Sequence, residues 1–205
     1  MTTATIIDNF FDQKFLVDLA YFIEHNISFN CSNIANSTTW PYGVTGSHRL
    51  FGTCIFLRNN LNSIQVLDKN AHRFFEIFEA IEDIILRKKV YLSQIDINLQ
   101  HAGCDGTSHK DGPSNDTTIM IMSNSYWKSE WGGEFQMLSD DEKEILETHQ
   151  YIPGRIIIFP SNVLHRGLGP KEKYIYRHTI TFRVPEQHWY IDQSWNDIKN
   201  NAFNS

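Results

Sequence analysis

The sequence predicts a mainly β fold with flanking helices, built as an antiparallel barrel or sandwich. Short apolar runs bounded by Gly, Pro, Asn or Ser crowd the C-terminal two thirds, while helical periodicities lie towards the N-terminus. At 205 residues, 41% hydrophobic and 13% aromatic, the chain fits one domain with a substantial core. We expect a helix-rich part over 1–90, a β core over about 91–185 and a tail over 186–205.

The elements follow in order. Thr5-Ile6-Ile7 reads as a short strand. Asp12 is placed to cap a helix through about Asn26, with Phe15, Leu19, Phe22 and Ile23 on one face. Residues 28–50, rich in Asn, Ser, Thr and Gly, predict a long irregular excursion that is either a binding loop or a surface connection. A strand is expected over Thr53–Leu57, then a helix over Asp68–Lys88, where Phe74, Phe78, Ile81 and Ile85 recur at helical spacing and Arg87-Lys88-Lys89 suits the negative end of the dipole.

From Tyr91 the period changes to two. Ile95, Ile97 and Leu99 take one face and Gln94, Asp96, Asn98 and Gln100 the other, a polar row that makes sense if it lines a cavity. Further strands are expected over Thr117–Ser123, Gly133–Leu138, Arg155–Phe159 and Tyr176–Val184. Asp140–Thr148 reads as a turn or two of acidic helix. Trp189, Tyr190 and Trp195 should pack part of the tail on the body.

Composition excludes several classes of function. A net charge of −6 argues against a nucleic-acid partner or an anionic membrane surface. The chain has no apolar run long enough to span a bilayer, and Met1-Thr2-Thr3-Ala4-Thr5 shows no basic region leading into an apolar one. Cys31, Cys54 and Cys104 form no CxxC, so a reducing, cytoplasmic setting is expected and Asn36 and Asn115 are read as chance glycosylation matches.

The chemistry centres on His109-Lys110-Asp111, entered through Gly103 and Gly106 and left through Gly112. In an extended segment residues i and i+2 share a face, so His109 and Asp111 can meet at one point while Lys110 points away. His165 follows the apolar run Arg155–Phe159 and the turn Pro160-Ser161-Asn162, a place suited to a barrel mouth. Two histidines and one carboxylate form the facial triad of non-haem iron oxygenases. The rival, a zinc hydrolase, usually carries HExxH, which is absent here. Taken alone, His109-x-Asp111 would read as an ordinary turn.

Arg177 changes that balance. It lies twelve residues after His165, and in an extended run shares a face with Thr179 and Thr181. A buried-facing arginine is costly unless it meets an anion, and the distal carboxylate of a metal-chelating dicarboxylate would be one.

These elements, together with Trp131-Gly132-Gly133-Glu134 and Gly154-Arg155-Ile156-Ile157-Ile158-Phe159-Pro160-Ser161, occur in a familiar order. Over roughly residues 90–184 the sequence resembles the 2-oxoglutarate- and Fe(II)-dependent oxygenases, in their prolyl-4-hydroxylase-like branch. The resemblance implies a double-stranded β-helix (jelly-roll) core with His109, Asp111 and His165 as iron ligands and Arg177 binding 2-oxoglutarate. It further places Thr118 and Thr179 in the co-substrate pocket, with Gln100 where many relatives have a tyrosine. It implies Fe(II), 2-oxoglutarate and O2 as cofactors, and admits ascorbate. The implied reaction is hydroxylation of a C–H bond in a peptidyl residue, proline first, or in a small molecule, with release of succinate and CO2. Met120, Met122 and Cys104 would face the oxidant. The competing readings are an oxidative nucleobase demethylase, disfavoured by the acidic charge and the lack of an aromatic-basic stripe, and a metal- or sugar-binding jelly roll, which would not need Arg177. Substrate identity and oligomeric state are not set by the sequence.

Overall fold

The computed structural model describes residues 4–33, 36–39, 50–60 and 63–186. The strands are β1 (Thr5–Ile7), β2 (Asn30–Asn33), β3 (Leu50–Asn60), β4 (Ser63–Val66), β5 (Gln94–Gln100), β6 (Thr117–Met122), β7 (Phe135–Leu138), β8 (Ile145–His149), β9 (Ile156–Pro160), β10 (His165–Gly167) and β11 (Arg177–Val184). The helices are α1 (Gln13–Asn26) and α2 (Ala71–Ile81), the latter running into a π-helical turn, Glu82–Leu86. The fold is mainly β, in two antiparallel sheets.

The larger sheet runs β1-β9-β6-β11-β5-β3-β2, with β4 added to β3, and the smaller runs β10-β7-β8. Alternation along the central strands decides what each face does. Ile95, Ile97, Ile119, Ile121, Ile156, Ile180 and Phe182 point outward from the site and are sealed by Leu19, Ile23, Phe74 and Phe78 of the two helices, forming the main core. The opposite face carries Gln94, Asp96, Asn98, Gln100, Thr118, Met120, Thr179, Thr181 and Arg183, and looks across a cavity towards Phe135 and His165 of the smaller sheet. The polar row of β5 thus lines a cavity, as its period predicts. No helix among the described residues is long and apolar enough to cross a membrane.

Asp12 caps α1, its carboxylate accepting from Phe15 N at 2.7 Å. The second helix is shorter than Asp68–Lys88. The Asp68 carboxylate accepts from Asn70 N in a turn before the helix, and the far end is closed by Arg87 in the left-handed region, φ 52°. Inside that end, buried Glu82 accepts from Val90 N and from Lys89, tying the widened turn to the chain that leaves it.

Asp140–Thr148 is not helical. Ser139, Asp141 and Glu144 hydrogen-bond to one another across a tight turn, and Ile145–His149 then pairs with β7 as an edge strand. Strand β2 lies within the stretch expected to be irregular, and the strand expected over Thr53–Leu57 extends to Leu50–Asn60 and pairs with β4. Most of that excursion and the tail with Trp189, Tyr190 and Trp195 lie outside the described residues.

Candidate metal centre

The segment carrying His109 is zipped onto the end of β9 and onto β10 by its backbone. Gly106 N donates to Gly167 O at 2.7 Å, His109 and His165 exchange N–H···O bonds of 3.0 Å, and Asp111 N donates to Ser161 O at 2.7 Å. A β-carbon on Gly106 would lie 3.0 Å from Gly167 O, so this close approach favours glycine. The pairing sets the two imidazoles 4.4 Å apart between ring centres.

His109 Nε2 lies 3.5 Å from Asp111 Oδ1, and His165 Nε2 lies 3.5 Å from Asp111 Oδ2. One ligand atom from each residue falls within 4.8 Å of the others. Each Nδ1 is turned to a backbone carbonyl, Thr107 O at 2.7 Å for His109 and Val163 O at 2.8 Å for His165. A carbonyl only accepts, so those contacts hold the proton on Nδ1 and leave both Nε2 lone pairs facing the carboxylate.

Burial draws His165 down to about 4, against the pull of Asp111, so it is neutral at physiological pH. Burial works to raise the Asp111 carboxyl. The Arg183 guanidinium and the two neighbouring histidines outweigh it and hold Asp111 well below the usual carboxylate range. Thr118 Oγ1 donates to Oδ2 at 2.9 Å, and Arg183 donates to Oδ1 at 3.0 Å and to Asp111 O at 3.1 Å. Two imidazole Nε2 atoms and one fixed carboxylate converging on one point suit a divalent metal, and the mixed nitrogen–oxygen set suits Fe(II).

Arg177 is buried at one end of the same cavity, whose volume is about 420 Å³. Nε donates to Gly133 O at 2.9 Å and Nη1 to Gln100 Oε1 at 2.6 Å, while buried Nη2 has no hydrogen-bond partner. Burial lowers the guanidinium to about 10, which leaves it charged. Its terminal nitrogens approach to about 3.1 Å from where a β-carbon on Gly167 would stand. Gly167 is two residues beyond His165 on β10, a separation of about 7 Å on one face of a strand. A short dicarboxylate therefore fits with one end at the histidines and the other at the unpaired nitrogen.

The sequence-predicted residues come together with some changes of role. Gln100 acts on the arginine: its Nε2 donates to Cys104 O and Gly167 O, and its Oε1 accepts from Arg177. Thr118 lines the cavity but is hydrogen-bonded to Asp111, and Thr179 lies in the cavity wall. Lys110 points away to Asp140, 2.8 Å distant. Of the sulfur-bearing residues expected near the oxidant only Met120 lines the cavity. Met122 is buried with its sulfur accepting from Ile152 N, and Cys104 is paired with His101 Nε2 at 2.9 Å. The contribution of Arg183 was not anticipated, although the alternation that places Arg177 inward continues to it.

A sequence model described as the 2OG-Fe(II) oxygenase superfamily matches residues 94–183. That stretch carries His109, Asp111, His165, Arg177 and Arg183. Over those residues the chain is similar to the 2OG-Fe(II) oxygenase superfamily. Solved structures of similar fold are prolyl hydroxylases and other members of that superfamily. A Pseudomonas putida prolyl-4-hydroxylase is 13% identical, with TM-score 0.57, over 91% of this chain and 94% of its own. A prolyl hydroxylase from Trichoplax adhaerens, solved with a hypoxia inducible factor peptide fragment, is 14% identical, with TM-score 0.62, over 100% and 88%. The α-ketoglutarate-dependent epimerase SnoN from nogalamycin biosynthesis is 12% identical, with TM-score 0.58, over 89% and 77%. Among curated proteins no sequence matches the chain.

Proposed function

We propose that the chain is a 2-oxoglutarate-dependent dioxygenase that hydroxylates a C–H bond of a peptidyl residue or a small molecule. The observation that carries this reading is the pairing of the His109–Asp111–His165 cluster with a buried, partly unpaired Arg177 in one cavity. A metal site alone would not need that arginine. Proline in a peptide is the first substrate to try, since prolyl hydroxylases are among the proteins of similar fold.

In this reading His109, Asp111 and His165 hold Fe(II), and Arg177 holds the distal carboxylate of 2-oxoglutarate. The bound iron and co-substrate supply the oxidising power, turning 2-oxoglutarate, O2 and R–H into succinate, CO2 and R–OH. The protein supplies orientation and exclusion of water. Thr118 and Arg183 hold Asp111 in one rotamer, the two carbonyl contacts fix the imidazole tautomers, and Gln100 with Gly133 aims Arg177. We propose further that the whole chain acts as one domain in a cytoplasmic setting.

Adding Fe(II) and 2-oxoglutarate without air should produce a weak visible charge-transfer band that Asp111→Ala abolishes. Absence of both the band and 2-oxoglutarate binding in the wild type would overturn the reading.

A further inference from the structure

Part of the cavity wall is used neither by the metal cluster nor by the arginine pocket. It continues the polar row of β5 through Asn98, Asp96 and Gln94, beside Thr53 and Cys54 of β3. Register sets Asp96 opposite Thr181 and Gln94 opposite Arg183, whereas Gln100 stands opposite Arg177. Because Arg183 bonds Asp111, this wall adjoins the metal carboxylate at the opposite end of β11 from Arg177.

Asp96 and Asp111 are the only acidic side chains in the cavity wall among the described residues. Asp111 is engaged by both histidines, Thr118 and Arg183. Asp96 has weaker company. Gln94 Nε2 donates to its Oδ2 at 2.7 Å, and the neighbouring Cys54 thiol, pushed up to about 12 by burial and by this carboxylate, stays protonated. Both partners are neutral. The nearest cation is Arg183, whose Nε stands 4.0 Å from Oδ2, beyond hydrogen-bond reach and itself without a hydrogen-bond partner. The other two nitrogens of Arg183 are committed to Asp111.

A carboxylate only 18% exposed, hydrogen-bonded by neutral donors and with its one cation 4.0 Å away, gains from a positive charge that comes within hydrogen-bond reach. Burial indeed holds Asp96 above the usual carboxylate range. The wall around it also offers the hydroxyl oxygens of Thr53 and Thr181, acceptors that suit a group with several N–H donors.

We infer that this wall is a substrate subsite for a cationic nitrogen, an ammonium or a guanidinium, bound by the Asp96 carboxylate beside the metal centre. The inference rests on the oxygenase reading for what happens to the bound molecule, and it replaces proline by a cationic substrate as the better fit. The charge anchors one end of the substrate at β5 and β3, leaving a carbon along its stem to face the metal.

The test is calorimetric titration of the full chain, first alone and then with Fe(II) and 2-oxoglutarate under argon. The probes are Nα-acetyl-arginine amide, Nα-acetyl-lysine amide, neutral near-isosteric Nα-acetyl-citrulline amide and Nα-acetyl-proline amide. The arginine and lysine probes should bind at least about tenfold more tightly than the citrulline probe, equal to about 1.4 kcal/mol and below the usual cost of truncating a buried charge pair. Asp96→Asn should erase that gap, and Asp96→Glu should keep part of it. Agmatine, titrated alongside, will match the arginine probe if the natural ligand is a free amine and fall behind it if the ligand is a residue in a peptide. Equal binding of the arginine and citrulline probes, tighter binding of the proline probe, or a gap that survives in Asp96→Asn overturns the inference. The wild-type comparison decides the matter even if the asparagine variant fails to fold. Failure of the oxygenase reading is a separate result: the wild type would release no succinate from 2-oxoglutarate, whichever probe it bound.

Discussion

Arg177 commits two of its nitrogens to the protein, one to Gln100 and one to Gly133 O, and keeps a third buried and unpaired. The side chain is therefore oriented before any ligand arrives, and an anion meeting Nη2 would complete it. Truncating one partner of a buried charge pair costs about 2 to 5 kcal/mol. Arg177→Ala should accordingly weaken 2-oxoglutarate binding at least about 30-fold by calorimetry, while metal affinity, set on the His109–Asp111 segment and β10, persists. Arg177→Lys should recover only part of the loss, because an ammonium cannot reproduce the planar fork. Unchanged affinity in the alanine variant would show that another arginine binds the co-substrate, with Arg183 next in line. At this scale the sequence is informative where residue type and spacing together demand a partner, as at His109, Asp111 and His165. It is less so for Arg183 and Asp96: alternation puts both on the inner face, but which carboxylate an arginine reaches depends on strand register and on a turn more than seventy residues away in sequence.

Among the elements, β5 was legible because one face is apolar and the other polar along its whole length, and β11 because its apolar residues alternate with Arg177, Thr179 and Thr181. Strand β8 was not. It lies at the edge of a three-stranded sheet with Ile145 and Leu146 exposed, so no buried face imposed an alternation that could compete with the acidic, helix-like composition before it. The turn before β7 shows a different kind of demand. Gly133 has φ +82°, and a β-carbon there would lie 2.9 Å from Trp127 Cζ2 and 3.3 Å from Arg177 Cδ. Its carbonyl is also the acceptor for Arg177 Nε. Gly133→Ala should lower stability by about 1 to 3 kcal/mol, the usual cost of a residue held in a sparsely populated backbone region. It should also weaken 2-oxoglutarate binding by displacing the guanidinium. Thermal melting and co-substrate titration read the two effects separately. A variant that melts early yet binds 2-oxoglutarate normally would mean that the turn supports the fold without aiming Arg177.

Across the molecule, the described buried apolar residues gather mainly in two clusters. The larger cluster joins α1 and α2 to the outer face of the larger sheet, and the smaller gathers Met120, Phe135, Ile157 and Phe159 between the sheets with Trp127 and Tyr151. The site touches only the inner face, where Met120, Phe135 and Phe159 of the smaller cluster also line the cavity, so the larger cluster lies on the side of the strands away from the chemistry. Phe78 and Phe182 meet across the outer side, fully buried and 5.3 Å apart between ring centres. Phe182 lies in β11 between Thr181 and Arg183, yet its side chain points away from the cavity they line. Phe78→Ala should cost about 3 to 5 kcal/mol through lost burial and the cavity it leaves. For a chain of this size that corresponds to a fall in melting temperature of roughly 6 to 20 °C. Below the new transition, 2-oxoglutarate affinity and the anaerobic charge-transfer band should match the wild type, because the strands between helix and site are held by their own ladders to β5 and β6. Calorimetry and titration on the same preparation check this. Affinity that falls in step with melting temperature would show that the helices set the position of Arg177 and Arg183, and that the two faces of the sheet are not independent.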